Sequence, residues 1–125
     1  MARSERLPRL VRISTHDGAD EICTHCEVAD RPLRRMRGLL GRSGIDAGAG
    51  MLIVPCPSVM TFFMRFAIDV VFLDRDYRVV KVVGNLGPWR LASARAHSAL
   101  ELPAGTAKAH ALAVGDVLEI AAADA

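Results

Sequence analysis

A chain of 125 residues that is 51% hydrophobic and 24% charged, with a formal net charge of +2, is long enough for one domain with one core and too apolar for a disordered polymer. Its apolar runs are short and broken by charge, which argues against a spanning helix of roughly 20 residues, and Leu7–Val11 (LPRLV) is too short for the apolar region of a signal peptide. Cytoplasmic localisation is therefore expected, and three cysteines, an odd and small set, argue against a disulfide scaffold.

Residues 1–19 read as a flexible basic tail ending in a turn. Arg3, Arg6, Arg9 and Arg12 against Glu5 place +3 in the first twelve residues and leave −1 on the remainder, so the domain itself is nearly neutral. Without interleaved aromatics the tail reads as a solvated terminus, and nucleic acid is not the expected partner. THDGAD (Thr15–Asp20) is turn chemistry around Gly18, and EICTHCEV (Glu21–Val28) reads as a strand. Asp30 resembles an N-cap and Pro32 suits a first helical turn, so a helix is expected at about 31–41, ended by Gly41 or Gly44. On a helical wheel Leu33, Met36, Leu39 and Leu40 share one arc, with Arg35 and Arg37 on its shoulders.

Residues 43–50 are a Gly-rich loop without the lysine of a phosphate-binding loop. Met51–Pro55 is a short buried strand broken by proline. TFFM (Thr61–Met64) starts a further strand and Ile68–Asp74 continues it. A tight turn at Arg75–Tyr77 leads into a return strand, Arg78–Val83. GNLGPW (Gly84–Trp89) reads as loop, Ser98–Pro103 as strand, Ala104–Leu112 as a turn or two of helix, and Val114–Ile120 as a turn and final strand. The fold class expected is mainly β: a single-domain β-sandwich or barrel-like body over residues 20–121, with one α-helix at about 31–41 and a short helical segment near 105–111.

The ordered set RMRGLLGR (Arg35–Arg42), GMLIVPC (Gly50–Cys56), TFFMRFAIDVVFLD (Thr61–Asp74) and LELPAG with VGD resembles the DUF192 family, a widespread prokaryotic group of unknown function. The resemblance covers roughly residues 22–120. It implies a compact, mostly β domain and no agreed activity. Two positions depart from the commonest pattern of that branch: Met60 stands where a His is usual, and Ala67 where a Pro is usual. Any chemical role of that His is absent here, and the break between the flanking strands is less rigidly enforced.

Arg65 and Asp69 stand inside the most apolar stretch of the chain. On one unbroken strand they would share a face about 13 Å apart, too far to pair. The Pro usual at position 67 in relatives suggests a kink that turns both toward a common space. An unpaired buried charge costs several kcal/mol, so each is expected to find an opposite charge. Arg35 and Arg37 are candidates to answer Asp69. Glu101 in the LELP strand or Asp116 in the VGD turn are candidates to answer Arg65.

Two readings follow: an internal ion-pair network that pins helix to sheet, or a shallow polar pocket for a small anionic or hydroxylated ligand, walled by Phe62, Phe63 and Met64. The pocket residues would be Arg35, Arg37, Met64, Arg65, Asp69, Glu101 and Asp116. Cys23 and Cys26 on a regular strand point to opposite faces, which excludes a bridge unless a bulge intervenes. The remaining Cys and His residues show no metal-ligand spacing, so no metal and no cofactor are expected. His97 and His110 are candidate general bases in segments read as surface. The leading expectation is a small β-rich binding or accessory module, leaning away from an enzyme. One alternative is an enzyme using Asp69 or Glu101 as acid and base. The other is a protein-interaction subunit with an exposed apolar patch around Leu86, Pro88 and Trp89, without a pocket.

Overall fold

The computed structural model describes residues 7–30 and 43–123. Among them nine strands form: β1 (Leu10–Thr15), β2 (Glu21–Ala29), β3 (Ala49–Ile53), β4 (Ser58–Met60), β5 (Ile68–Leu73), β6 (Val79–Leu86), β7 (Leu91–Ser93), β8 (Ser98–Pro103) and β9 (Leu118–Ala122). One turn of helix, α1, spans Thr106–Ala109. Seven strands make one sheet in the order β6-β5-β8-β3-β2-β1-β9, and β4 pairs with β7 in a separate ribbon. Every pairing is antiparallel except β2 with β3. The sheet curls until its two outer strands approach at one corner: Arg78 bridges Val117, and Val79 N–H donates to Asp116 O at 2.7 Å.

The central strands do not alternate apolar with polar because both sheet faces are covered. Along β5 all six residues are buried. Val71 and Leu73 join Val11, Ile13, Leu52 and Leu100 on one face, whereas Val70 and Phe72 join Met51, Ile53 and Val59 on the other. The β4–β7 ribbon lies over the second face, since Val59 and Ala92, directly paired, are both buried in that layer. Gly50 is where β3 must pass closest to its neighbours. A Cβ there would stand 2.8 Å from Glu101 O and 3.1 Å from Cys23 Sγ, so any larger residue would force the strands apart.

The fold is mainly β, as expected, and α1 falls inside the short helical segment expected near 105–111. The helix expected at 31–41, with Arg35 and Arg37, lies outside the described residues. Leu10–Thr15, read as tail, is a sheet strand instead, because Val11 and Ile13 alternate into the core between polar neighbours. Thr61–Met64 is not a strand. The chain leaves β4 at Met60, turns, and enters β5 only at Ile68. Gly84–Leu86, read as loop, completes β6. No helix among the described residues is long and apolar enough to cross a membrane.

Candidate binding surface

Asp69 is 1% exposed, and among the described residues its charge is met by backbone amides. Oδ1 accepts the Asn85 N–H at 2.8 Å; Oδ2 accepts the N–H groups of Gly105 at 3.1 Å and Ala107 at 2.8 Å. Three amide donors are enough to solvate a buried carboxylate. Gly105 makes this possible by adopting φ +96°, which turns the first amides of α1 toward β5. Asp69 thereby ties β5, β6 and α1 together. A groove of about 460 Å³ opens beside it, lined by Val82, Asn85, Lys108 and Leu112, yet both Asp69 oxygens are already engaged.

Arg65 is exposed and has no hydrogen-bond or ion-pair partner among the described residues, so the expected pairing of Arg65 with Glu101 or Asp116 does not form. The cause is the turn after β4, which leaves Arg65 in solvent before the chain re-enters the sheet. Asp116 is exposed and accepts the Ala113 N–H at 2.9 Å, an ordinary turn contact. Met64 is buried in the second-face layer. Glu101 is buried in the same layer, directly opposite Val70 and Met51, and its Oε1 has no hydrogen-bond partner among the described residues. Burial pushes its carboxyl up to about 7. Asp69 and Glu101 thus point to opposite sheet faces and do not form one site.

The cysteines also differ from expectation. Between Val11↔Cys26 and Ile13↔Cys23 the register shifts, so β2 carries a bulge at Thr24–His25. The bulge puts both side chains on the same face, in the same core layer. The hydrogen bond from Cys23, together with burial, pushes the Cys26 thiol up, and all three cysteines are free.

The largest exposed apolar side chains gather where the ribbon ends. Met60 and Leu91 are direct cross-strand partners and both are 63% exposed. Next to them, Trp89 stacks on Phe62 with ring centroids 5.5 Å apart and meets Phe63 at 4.7 Å. Phe63 is 71% exposed and Trp89 56%. Both have positive φ, 67° and 62°, an unfavourable conformation for bulky residues that costs about 1–3 kcal/mol each.

Thr61 holds this arrangement in place. It is fully buried, its hydroxyl donates to Gly87 O at 2.6 Å and accepts the Arg90 N–H at 2.8 Å, and its carbonyl accepts the Trp89 N–H at 3.0 Å. Trp89 was legible as a candidate surface residue, whereas Phe62 and Phe63 were expected as the wall of a polar pocket, and Leu86, expected in the exposed patch, is buried. Met60 and Leu91 were not legible as surface residues, because β7 is too short to show alternation.

A family model for DUF192, described as "Uncharacterized ACR", matches residues 12–120. The chain is 38% identical over 85 residues to the UPF0127 protein PH1112 of Pyrococcus horikoshii, covering 62% of this chain and 71% of that protein. It is 34% identical over 100 residues to the UPF0127 protein PYRAB11210 of Pyrococcus abyssi, covering 74% of this chain and 83% of the relative. A crystal structure from Sinorhizobium meliloti 1021, described as a candidate transcription regulator, superposes with TM-score 0.76 at 25% identity, over 93% of this chain and 98% of that one. A protein of unknown function from Novosphingobium aromaticivorans DSM 12444 shares the fold with TM-score 0.74 at 19% identity, over 95% and 96% of the two chains. Sequence match and shared fold agree: this chain belongs to the DUF192 family.

Proposed function

We propose that this protein is a non-catalytic binding module whose recognition surface is the apolar shelf of Met60, Phe62, Phe63, Trp89 and Leu91. The single observation that supports it is that two aromatic residues are kept exposed in unfavourable backbone conformations by a buried threonine clamp. A loop serving only as a connection would relax by turning those rings inward. Large exposed apolar groups on a rigid frame are the usual anchors of protein recognition.

The occupant is an acidic peptide segment of a partner protein that carries apolar side chains. Residues 58–67 and 86–92 contain Arg65 and Arg90 and no acidic residue, so the surface offers apolar anchors beside two basic side chains. Catalysis has little support. The carboxylate with raised proton affinity is sealed in the core, and Asp69 has both oxygens committed to backbone amides.

Random-peptide display against the wild-type chain, with a Phe63→Ser/Trp89→Ser variant as counter-selection, tests this reading. Enrichment of peptides rich in Asp and Glu with aromatic or aliphatic anchors is expected. Enrichment of the same peptides on both proteins, or of basic peptides, would contradict it.

A further inference from the structure

A second concave surface lies at the opposite end of the ribbon, about 360 Å³ in volume, where the β5–β6 turn meets the segment joining β7 to β8. Its lining is Asp74, Arg75, Arg95, Ala96 and His97. The two segments are fastened to each other. His97 N–H donates to Leu73 O and Cys56 N–H to His97 O, both at 2.8 Å.

The charges here are unequal in availability. Asp74 Oδ1 accepts the N–H groups of Asp76 at 2.8 Å and Arg78 at 3.0 Å, so this carboxylate shapes its own turn. Arg75 and Arg95 are exposed, and neither has a hydrogen-bond or ion-pair partner among the described residues. Beside them, burial and the Arg75 charge hold the His97 imidazole below its ordinary value, which keeps it neutral near pH 7 and free to donate or accept one hydrogen bond.

We propose that this cavity binds the doubly charged phosphate group of a small phosphate monoester, held between the guanidinium groups of Arg75 and Arg95 with His97 as a third, neutral contact. A guanidinium fork matches tetrahedral oxyanion geometry, and with Asp74 turned to its own turn's amides the lining keeps a net positive charge for the phosphate. The volume leaves room for a few atoms of ester beyond the phosphate. This goes beyond the peptide-binding reading and does not depend on it.

Calorimetric titrations with inorganic phosphate, glycerol 3-phosphate and a phosphoserine peptide, at physiological ionic strength, test the assignment. Saturable binding of glycerol 3-phosphate with Kd below about 1 mM, tighter than inorganic phosphate, is expected. Arg75→Ala and Arg95→Ala should each weaken it about tenfold, whereas Arg12→Ala should leave it unchanged. All three substitutions are on exposed side chains, and matching melting curves would exclude a folding effect. No saturable binding, binding unchanged in both variants, or preference for the phosphopeptide over glycerol 3-phosphate would overturn the proposal.

Discussion

Glu101 leaves one carboxylate oxygen without a hydrogen-bond partner among the described residues, in an apolar layer, and burial raises its proton affinity from the ordinary 4.5 to about 7. The folded chain therefore keeps a proton that the unfolded chain releases. The contribution to stability is complete below about pH 4.5 and is lost as pH rises through about 7, a total of about 3 kcal/mol. Glu101→Gln removes the titration. Its urea midpoint should exceed that of the wild type at about pH 8 and approach it near pH 4.5; a parallel offset at both pH values would mean that Glu101 has the same proton affinity folded and unfolded, contradicting the raised value. Asp69 makes the opposite case. Its carboxylate is satisfied three times over, and Asp69→Asn turns an amide donor toward a backbone N–H. A loss of about 3 kcal/mol in urea unfolding is expected, with hydrogen exchange accelerated first at Gly105 and Ala107. The sequence marked Asp69, with Arg65, because charge stood inside an apolar run, and Glu101 as a candidate partner for Arg65. It could not show that backbone amides, which carry no sequence signature, would answer Asp69, nor that Arg65 would stay in solvent.

The β4–β7 ribbon is the element on which the functional reading depends. It has only three residues in each strand, so backbone pairing alone holds it weakly, and the buried Thr61 hydroxyl adds two contacts across the loops. Thr61→Val keeps the shape and removes both contacts, leaving Gly87 O and Arg90 N–H without that partner. A destabilisation of about 1–3 kcal/mol is expected. Acrylamide should also quench Trp89, the single tryptophan of the chain, differently once the clamp is loosened, while the far-ultraviolet dichroism of the sheet is kept. Unchanged stability and quenching would remove Thr61 from the account. Strands β5 and β8 were readable because each is a mostly apolar run of six residues. The ribbon was not, since three residues are too few for a period to show. Likewise the bulge in β2 that unites Cys23 with Cys26 depends on its register with β1, a tertiary property.

At the scale of the whole molecule, a curled sheet with both faces covered explains why its central strands are buried on both faces, and why a sandwich or barrel was the right expectation before any strand order was known. The order itself, with one parallel pair between β2 and β3 and outer strands meeting at Arg78 and Val117, is set by long-range packing that local patterns do not encode. The same architecture fastens the ribbon to one face with its apolar end outward, which is the basis for reading the molecule as a docking module. Backbone amide shift mapping, with the tightest peptide from the display selection, tests this most directly. The account predicts shifts confined to residues 58–67 and 86–92, together with a change in Trp89 emission. Shifts centred on β1, β2 or α1 with Trp89 emission unchanged would contradict it.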